Sequence, residues 1–260
     1  MNKYTSTNVR MSQRNRKIIN LQNGGISVTL PALNEAENIE ELSKEIIQYF
    51  ESNHMLYEII IINDGSSDET GKVADALASK HENISTIHHL QNKGYGKSLK
   101  DGFQASKYEY LFFTDSDRQF KINCLDKFLP FIEEGRADMV IGYRGDRKDN
   151  FLRKFLACCF NRIIRTIFSL DYKDIDCAFK LFKRGSFECL EVKSDDFLFN
   201  TELLAKSHFK KLRIIQLGVE HYPRHRGKST ISFKFIPLTL KKLFSLHREI
   251  QDFKRKESLK

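Results

Sequence analysis

This 260-residue chain lacks several features that define other classes of protein. Its five cysteines are odd in number and include no Cys-x-x-Cys pair, which excludes a disulfide framework or zinc site and favours a reducing compartment. No run of eighteen apolar residues occurs, so no helix is expected to span a bilayer. No apolar segment follows the basic N-terminal stretch, so a signal peptide is not expected. The protein is therefore expected to be cytoplasmic, either in solution or on a membrane surface.

The composition that remains is basic and globular. Tryptophan is absent, but 21 phenylalanines and a charged fraction of 30% are typical of a folded domain. The net charge of +9 favours partners that carry phosphate, such as nucleic acid, nucleotides or lipid head groups. No helix-turn-helix, zinc finger or aromatic RNA-binding signature accompanies the charge. A non-catalytic nucleic-acid-binding protein is therefore kept only as a remote alternative, and no nucleic-acid partner is expected.

Strand and helix patterns alternate along the first half of the chain. After a polar, basic leader at 1–24, strands are predicted at 26–30, 58–63, 84–89, 110–114 and 138–142. Helical patterns lie between them, the first opened by a capping box at 34–37. This alternation predicts an α/β fold with a doubly wound, mostly parallel sheet and helices on both faces, over 25–231. A basic helix is predicted at 151–168, and a C-terminal amphipathic basic helix and tail at 232–260.

Two carboxylates end the apolar run at 110–114. Asp115 and Asp117 are one residue apart, and in an extended backbone their side chains point the same way, with Gln119 continuing the alternation. Mg²⁺ or Mn²⁺ accepts such oxygen ligands and leaves its other positions to water and phosphates. A solvated turn is the alternative for an isolated Asp-x-Asp.

The predicted sheet would gather further charged side chains at the same rim. Asp64 and Arg144 also follow predicted strands, and ligands of doubly wound sheets bind beyond the carboxyl ends of the strands. For Asp64 alone, the alternative is a turn ahead of a helix. His88 and His89 are interpreted as structural. For Gly94 and Gly96 the alternatives are a phosphate cradle at a helix start and turn chemistry, and turn chemistry is favoured.

Six segments can be compared with a known family: Leu30–Glu35, Ile62–Asp68, Asn92–Gly96, Asp115–Gln119, Asp174–Lys180 and Arg224–Ser229. They resemble the motifs of family-2 glycosyltransferases with the GT-A fold, a Rossmann-like α/β fold. Within this family, the chain looks most like dolichyl-phosphate mannose synthases and bacterial polyprenyl-phosphate glycosyltransferases. The resemblance extends over about residues 25–230. Any one motif is weak, whereas six in register are specific.

The resemblance implies a nucleotide sugar, a GDP- or UDP-hexose, at the rim with Mg²⁺ or Mn²⁺. The matching positions for the nucleotide sugar are Pro31, Ala32, Glu35, Asp64, Asp115 and Arg224. Those for the metal are Asp115, Asp117 and Gln119. Those for the phosphate of a lipid acceptor are Arg144 and Arg153, while Ala157 stands where the family has a phosphate-contacting serine.

The candidates for catalysis are Asp174, Asp176, Glu202 and Arg224. If the acceptor is a sugar hydroxyl, a base must take its proton. If it is a lipid phosphate, the nucleophile is already ionised and a carboxylate only orients basic side chains. Asp174 matches the more telling family position and is placed first, while both roles stay open for Asp176. Arg224 would fold over the phosphates on a mobile loop.

The helix predicted at 151–168 carries Lys154, Arg162 and Arg165 on one side, with Ile163 and Ile167 elsewhere. A solvated face of a core helix and a helix lying on an anionic membrane both fit this pattern. Peripheral attachment to the cytoplasmic face of a membrane is therefore expected as an option.

The expected function is that of an inverting, metal-dependent hexosyltransferase. It would move a hexose from the nucleotide sugar to a polyprenyl phosphate of the dolichyl or undecaprenyl type, in cell-envelope glycan synthesis. The alternative acceptor is a hydroxyl of a cell-surface glycan or a lipid-linked oligosaccharide.

Overall fold

The computed structural model describes residues 24–145, 161–223 and 236–258. The described strands form a single sheet. They are β1 Ile26–Ala32, β2 Tyr57–Asn63, β3 Ile84–His88, β4 Tyr110–Thr114, β5 Met139–Arg144, β6 Phe179–Lys183 and β7 Ile214–Val219. The helices are α1 Ala36–Ser52, α2 Thr70–Lys80, α3 Tyr95–Ala105, α4 Leu125–Glu133, α5 over 161–168, α6 Arg184–Glu188, α7 Phe199–Phe209 and α8 Ile236–Ser258.

The seven strands lie in the order β3-β2-β1-β4-β6-β5-β7. All neighbouring pairs are parallel except those made by β6, which is antiparallel to both β4 and β5. Because Thr114 pairs with Phe179 and Ile141 with Lys180, β6 begins at the edge where the other strands end. The loop before β6 therefore joins the same rim as the residues that follow β1, β2, β4 and β5.

Adjacent phenylalanines of β4 show how the two faces of the sheet are covered. Phe112 packs edge-on against Phe179 on the face covered by α4, whose Phe128 also meets Phe179. Phe113 points the other way, toward Phe103 of α3 and Phe199 of α7. Since successive side chains of a strand alternate between faces, helices lie on both faces of the sheet, as predicted.

The five strands predicted from the sequence are present, but the second half of the chain has more regular secondary structure than was predicted. Strands β6 and β7 were not predicted, and α8 continues through Ser258 where a polar tail was expected from 254. The predicted capping box at the start of α1 is wrong, since Glu35 is the N-cap and makes no capping side-chain bond. Instead, Asp68 accepts the amide of Ala36 at 3.3 Å, because the loop after β2 folds over this helix start.

Helix α8 packs on the domain through its apolar side. Leu243, Leu246 and Ile250 are buried in the core. Its Glu249 lies 3.4 Å from Lys206 of α7. Within the parts of the chain that the structure describes, no helix combines the length and apolarity needed to cross a membrane.

Gly102 sets how closely α3 approaches the sheet, and it gives a test of this packing. A methyl group at Gly102 would overlap the buried side chain of Thr29 in β1, whereas one at Gly185 in α6 would meet nothing within 4 Å. We expect Gly102→Ala to lower the free energy of unfolding by about 2 kcal/mol through overpacking. Gly185→Ala should change it by less than about 0.5 kcal/mol. Urea denaturation of both variants checks this, and equal stabilities would contradict the packing.

Candidate functional site

Asp64, directly after β2, is buried and held by three neighbours. Its Oδ1 accepts the amide of Lys93 at 2.8 Å and lies 2.6 Å from Nδ1 of His89. Its Oδ2 accepts the amide of Gly94 at 3.0 Å. The carboxylate is therefore fixed in one orientation at the rim, with only 4% of the residue exposed.

His89 was interpreted as a structural residue, yet it contacts Asp64, which is predicted to bind the nucleotide. Its Nε2 lies 3.0 Å from Asp101 of α3, which pairs with Lys97 one turn earlier at 2.5 Å. Its position in the sequence could have indicated this contact, because His89 directly follows β3 and β3 lies beside β2, which Asp64 follows. The neighbouring His88 turns outward and pairs with Asp75.

Gly94 and Gly96 belong to a tight contact rather than to an open phosphate cradle. Gly94 has a φ of 102°, and a side chain at either glycine would overlap the backbone carbonyls of the loop at 194–196. The amide of Lys97 donates to the Asp195 carbonyl at 3.0 Å. The start of α3 is thus covered by this loop, which agrees with the interpretation of the glycines as turn chemistry.

The loops after β1 and β2 interlock. Asn34, at a φ of 57°, accepts the amide of Ser67 at 2.8 Å through its side-chain oxygen. The amide of Glu35 donates to Thr70 at 2.9 Å, and its carboxylate accepts Asn38 at 2.7 Å. The three predicted nucleotide residues of this region share one position, at or just after the end of β1 beside β2: Pro31, Ala32 and Glu35.

The segment after β4 departs from the predicted extended backbone. Residues 116–117 form a turn, and Arg118 adopts a φ of 59°. Asp117 is buried and its Oδ1 accepts the amide of Gln119 at 3.1 Å, which closes the turn. Asp115 remains half-buried at the rim. The expectation of a simple alternation is therefore wrong, because the Asp117 side chain bonds locally to the backbone.

Around Asp115 the structure adds residues that sequence reasoning missed. The Tyr95 hydroxyl is buried beside Asp115, and no described residue lies at the distance and angle of a regular hydrogen bond to it. Burial and the nearby carboxylate raise the pKa of Tyr95 well above its usual value. Below them, the fully buried Lys180 of β6 donates to the carbonyl of Ile175 at 3.1 Å and to Asn200 of α7 at 2.9 Å. Burial lowers the pKa of this lysine.

Arg144 and Asp174 form a buried two-point ion pair. Arg144 donates from Nε at 2.6 Å and from Nη2 at 2.8 Å to the two oxygens of Asp174. Burial would lower the pKa of Arg144, but the hydrogen bonds and charge of Asp174 raise it above its usual value. Since both carboxylate oxygens face a guanidinium, Asp174 is placed to orient Arg144 rather than to take a proton.

The other two predicted catalytic carboxylates differ in accessibility. Asp176 is half-buried in the loop before β6, at the rim. Glu202 is fully buried, lies 2.5 Å from Lys206, and accepts the amides of Lys193 and Ser194 at 2.9 and 2.7 Å. These contacts suit a brace for the loop that covers α3, so the prediction of a catalytic Glu202 is not supported by its environment.

Two predicted site residues, Arg153 and Arg224, lie outside the described residues, as do Lys154 and Ala157. Their roles stay predictions.

The oxygens that follow β4 are the predicted ligands of a divalent metal. Among the described residues no group of three or more His, Cys, Asp or Glu side chains is placed to hold a metal. Asp115, Asp117 and Gln119 nevertheless bring hard oxygens to the end of β4, and Gln119 is held there by the backbone of Tyr222 at 3.0 Å. This donor set fits Mg²⁺ or Mn²⁺, which take one or two carboxylates and complete their coordination with water and phosphate oxygens.

The sequence model of the family described as "Glycosyl transferase family 2" matches residues 27–191, well over half of the chain. The chain belongs to this family. Glycosyltransferase AglD of Haloferax volcanii is 30% identical over 207 residues, which cover 76% of this chain and 33% of that protein. A dolichyl-phosphate beta-glucosyltransferase of Dictyostelium discoideum is 29% identical over 215 residues, which cover 75% and 65% of the two chains. The chain thus spans between a third and two thirds of these relatives.

Solved structures show that the family-2 chain has the predicted GT-A fold. Glucosyl-3-phosphoglycerate synthase from Mycobacterium tuberculosis, solved with Mn²⁺, UDP and phosphoglyceric acid, superposes with a TM-score of 0.64. The two chains are 19% identical, and the match covers 92% of this one and 81% of that one. A mannosyltransferase from Pyrobaculum calidifontis, solved with GDP-mannose and Mn²⁺, gives 0.53 at 18% identity, covering 78% and 58%.

The brace at Glu202 predicts a pH-dependent contribution to the stability of this family-2 domain. Burial would raise the pKa of Glu202, but Lys206 and the loop amides lower it below its usual value. The ionised form therefore stabilises the fold above the unfolded pKa of about 4.3, and this stabilisation is lost as the pH falls through the lower folded pKa. We expect Glu202→Gln to lower the free energy of unfolding by about 3 kcal/mol at pH 7, because Lys206 loses its main partner.

The difference between wild type and Glu202→Gln should shrink as the pH falls below about 4. Denaturant unfolding at several pH values measures it. The exposed pair of Glu134 with Arg136 supplies the control, since Glu134→Gln should cost less than about 0.5 kcal/mol. A constant difference at all pH values would contradict the assignment.

Proposed function

We propose that the protein is an inverting, metal-dependent glycosyltransferase that moves a hexose from a UDP- or GDP-sugar to a polyprenyl phosphate. The observation that carries the proposal is the rim itself. The sheet places Asp64, Asp115 and the Arg144–Asp174 pair beyond the strand ends, although they are far apart in sequence. This is where ligands of doubly wound sheets bind.

The donor half of the proposed site lies over β1, β2 and β4. Asp64 would accept hydrogen bonds from the base or ribose, with Pro31, Ala32 and Glu35 beside it. Asp115, Asp117 and Gln119 would hold Mg²⁺ or Mn²⁺, which supplies charge stabilisation for the departing nucleoside diphosphate when bound. Mycobacterial glucosyl-3-phosphoglycerate synthase was solved with both Mn²⁺ and UDP, which supports this arrangement through the shared fold.

The acceptor half lies at β5 and the loop before β6. Asp174 takes the Nε and Nη2 edge of Arg144, so an acceptor phosphate would meet the guanidinium at Nη1. A phosphate is already ionised near neutral pH and needs no strong base. The name of the Dictyostelium relative, a dolichyl-phosphate beta-glucosyltransferase, supports this acceptor class. Attack from the side opposite the nucleotide inverts the anomeric carbon.

Asp176 favours a second candidate, in which the acceptor is a hydroxyl of a glycan or of a lipid-linked oligosaccharide. It is half-buried in the loop before β6, at the rim, whereas Asp174 and Glu202 are at most 5% exposed. A general base is required for this acceptor, and Asp176 would serve as one.

Attachment to the cytoplasmic face of a membrane is proposed from a surface shared by α5 and α8. The two helices meet where Phe168 packs on His247. Ile163 and Ile167, which the sequence pattern put away from the basic side of the helix, are 40% and 37% exposed, and Phe244 of α8 is 60% exposed. Exposed basic residues flank them: Arg162, Arg165, Lys241 and Arg248. Apolar side chains among basic ones are typical of helices lying on anionic membranes.

Sugar transfer to lipid phosphate tests the proposed function. With Mn²⁺ or Mg²⁺, a labelled UDP- or GDP-hexose and polyprenyl phosphate, we expect an anionic lipid-linked monosaccharide of inverted configuration. Asp115→Asn with Asp117→Asn should reduce the rate about 100-fold or more, because charge developing on the nucleotide is no longer stabilised. Asp75→Asn, which alters the exposed pair between α2 and His88 of β3, serves as the control. Transfer to sugar hydroxyls alone would contradict the lipid-phosphate acceptor and support the second candidate. A protein without affinity for any sugar nucleotide would contradict the proposed function as a whole.

Liposome flotation tests the membrane surface. The full chain should float with vesicles containing anionic lipid at low salt, and less at high salt because the charges are screened. Ile163→Ser with Ile167→Ser should reduce the floated fraction about tenfold, since two apolar contacts are lost. Leu56→Ser is the matched control, because Leu56 is 68% exposed but precedes β2, at the opposite edge of the sheet. Equal loss in both variants would contradict a specific surface.

A further inference from the structure

His89 lies between two carboxylates in a nearly closed site. Its side chain is 2% exposed, with Nδ1 2.6 Å from Oδ1 of Asp64 and Nε2 3.0 Å from Oδ2 of Asp101. Asp101 is 18% exposed and also receives Lys97 at 2.5 Å. Four charged or polar groups therefore follow one another from the helix surface to the rim: Lys97, Asp101, His89 and Asp64.

The hydrogen-bond partners of His89 determine which of its ring nitrogens must donate. An ionised carboxylate only accepts hydrogen bonds, and a neutral imidazole has one donor nitrogen, whereas an imidazolium has two. Both hydrogen bonds of His89 are therefore complete when both ring nitrogens carry protons. Charges then alternate in sign along the series. Burial would raise the pKa of Asp101, but Lys97 and His89 lower it below its usual value, which keeps this carboxylate ionised.

The same contacts limit how Asp64 can meet a ligand. Its Oδ1 already accepts His89 and the Lys93 amide, and its Oδ2 accepts the Gly94 amide. The acceptor capacity that remains lies mainly on Oδ2. Without His89, a carboxylate that is 4% exposed would lose a charge-assisted bond and the partner that fixes its rotamer.

We propose that His89 is a positioning residue for donor recognition, with Asp101 holding its far nitrogen so that Asp64 presents Oδ2 to the nucleoside. The inference rests on the proposed role of Asp64 in nucleotide binding and goes beyond it. His89 acts on the nucleoside half of the donor and not on the metal-diphosphate half, which lies after β4.

Calorimetric binding to the full chain tests this separation, with UDP, GDP and inorganic pyrophosphate as probes in the presence of Mn²⁺. His89→Gln replaces the two ring nitrogens with one NH2 donor group and one acceptor oxygen, so one carboxylate loses its partner. We expect it to weaken the bound nucleoside diphosphate about tenfold and pyrophosphate less than twofold. Asp101→Asn should give a smaller loss of the same kind. In the transfer assay, the KM for the donor should rise while kcat at saturating donor stays unchanged.

His88→Gln is the matched control, because His88 makes a similar pair with Asp75 in the solvent-exposed part of the same strand end. It should leave all three affinities unchanged. Equal weakening of pyrophosphate and nucleotide by His89→Gln would show a general loss of structure and would overturn the inference, and so would unchanged nucleotide affinity in a folded His89→Gln.

An Asp64→Ala variant separates this inference from the proposed function. If Asp64→Ala loses nucleotide affinity while His89→Gln keeps it, the inference alone is overturned. If Asp64→Ala keeps full affinity, the nucleotide role of Asp64 is overturned, and the inference with it.

Discussion

The rim depends on keeping buried carboxylates paired. Asp64, Asp174 and Glu202 are each at most 5% exposed, and an ionised carboxylate removed from water without a partner costs several kcal/mol. The chain supplies a different solution for each: an imidazole with backbone amides, a two-point guanidinium, and a lysine with loop amides. The contacts that position the proposed ligand-binding groups are therefore also contacts that the folded state requires.

The reversed strand β6 extends this constraint to the acceptor side. Because β6 starts at the edge where β4 and β5 end, the loop that carries Asp174 and Asp176 lies beside Asp115 instead of at the opposite edge. Lys180, one residue into the strand, then anchors that loop from below through the Ile175 carbonyl. If β6 were parallel to its neighbours, these residues would lie about a strand length away, at the opposite edge of the sheet from the rim.

Local signals explain what the sequence predicted. Apolar runs that alternate with helical patterns revealed five strands, and the acidic residues that follow two of these runs revealed the rim positions of Asp64 and Asp115. Strand β6 was missed because a lysine inside a short apolar run usually indicates a solvent-exposed position. Lys180 is nevertheless buried, because residues distant in sequence, such as Asn200, accept its hydrogen bonds. His89 and Tyr95 were missed for the same reason, since their partners come from other elements of the fold. The turn at Asp117 was missed because a side chain competed with the strand for a backbone amide.

A continuous set of contacts joins helix α8 to the donor side of the rim. Glu249 of α8 meets Lys206, which pairs with Glu202, which in turn holds the amides of Lys193 and Ser194. The same loop covers the start of α3, whose preceding residue donates to Asp64. Interactions in such a set are not independent, because removing one partner leaves the next charge buried and unpaired. The helix that carries part of the proposed membrane surface is therefore also part of the scaffold that fixes the donor half of the site.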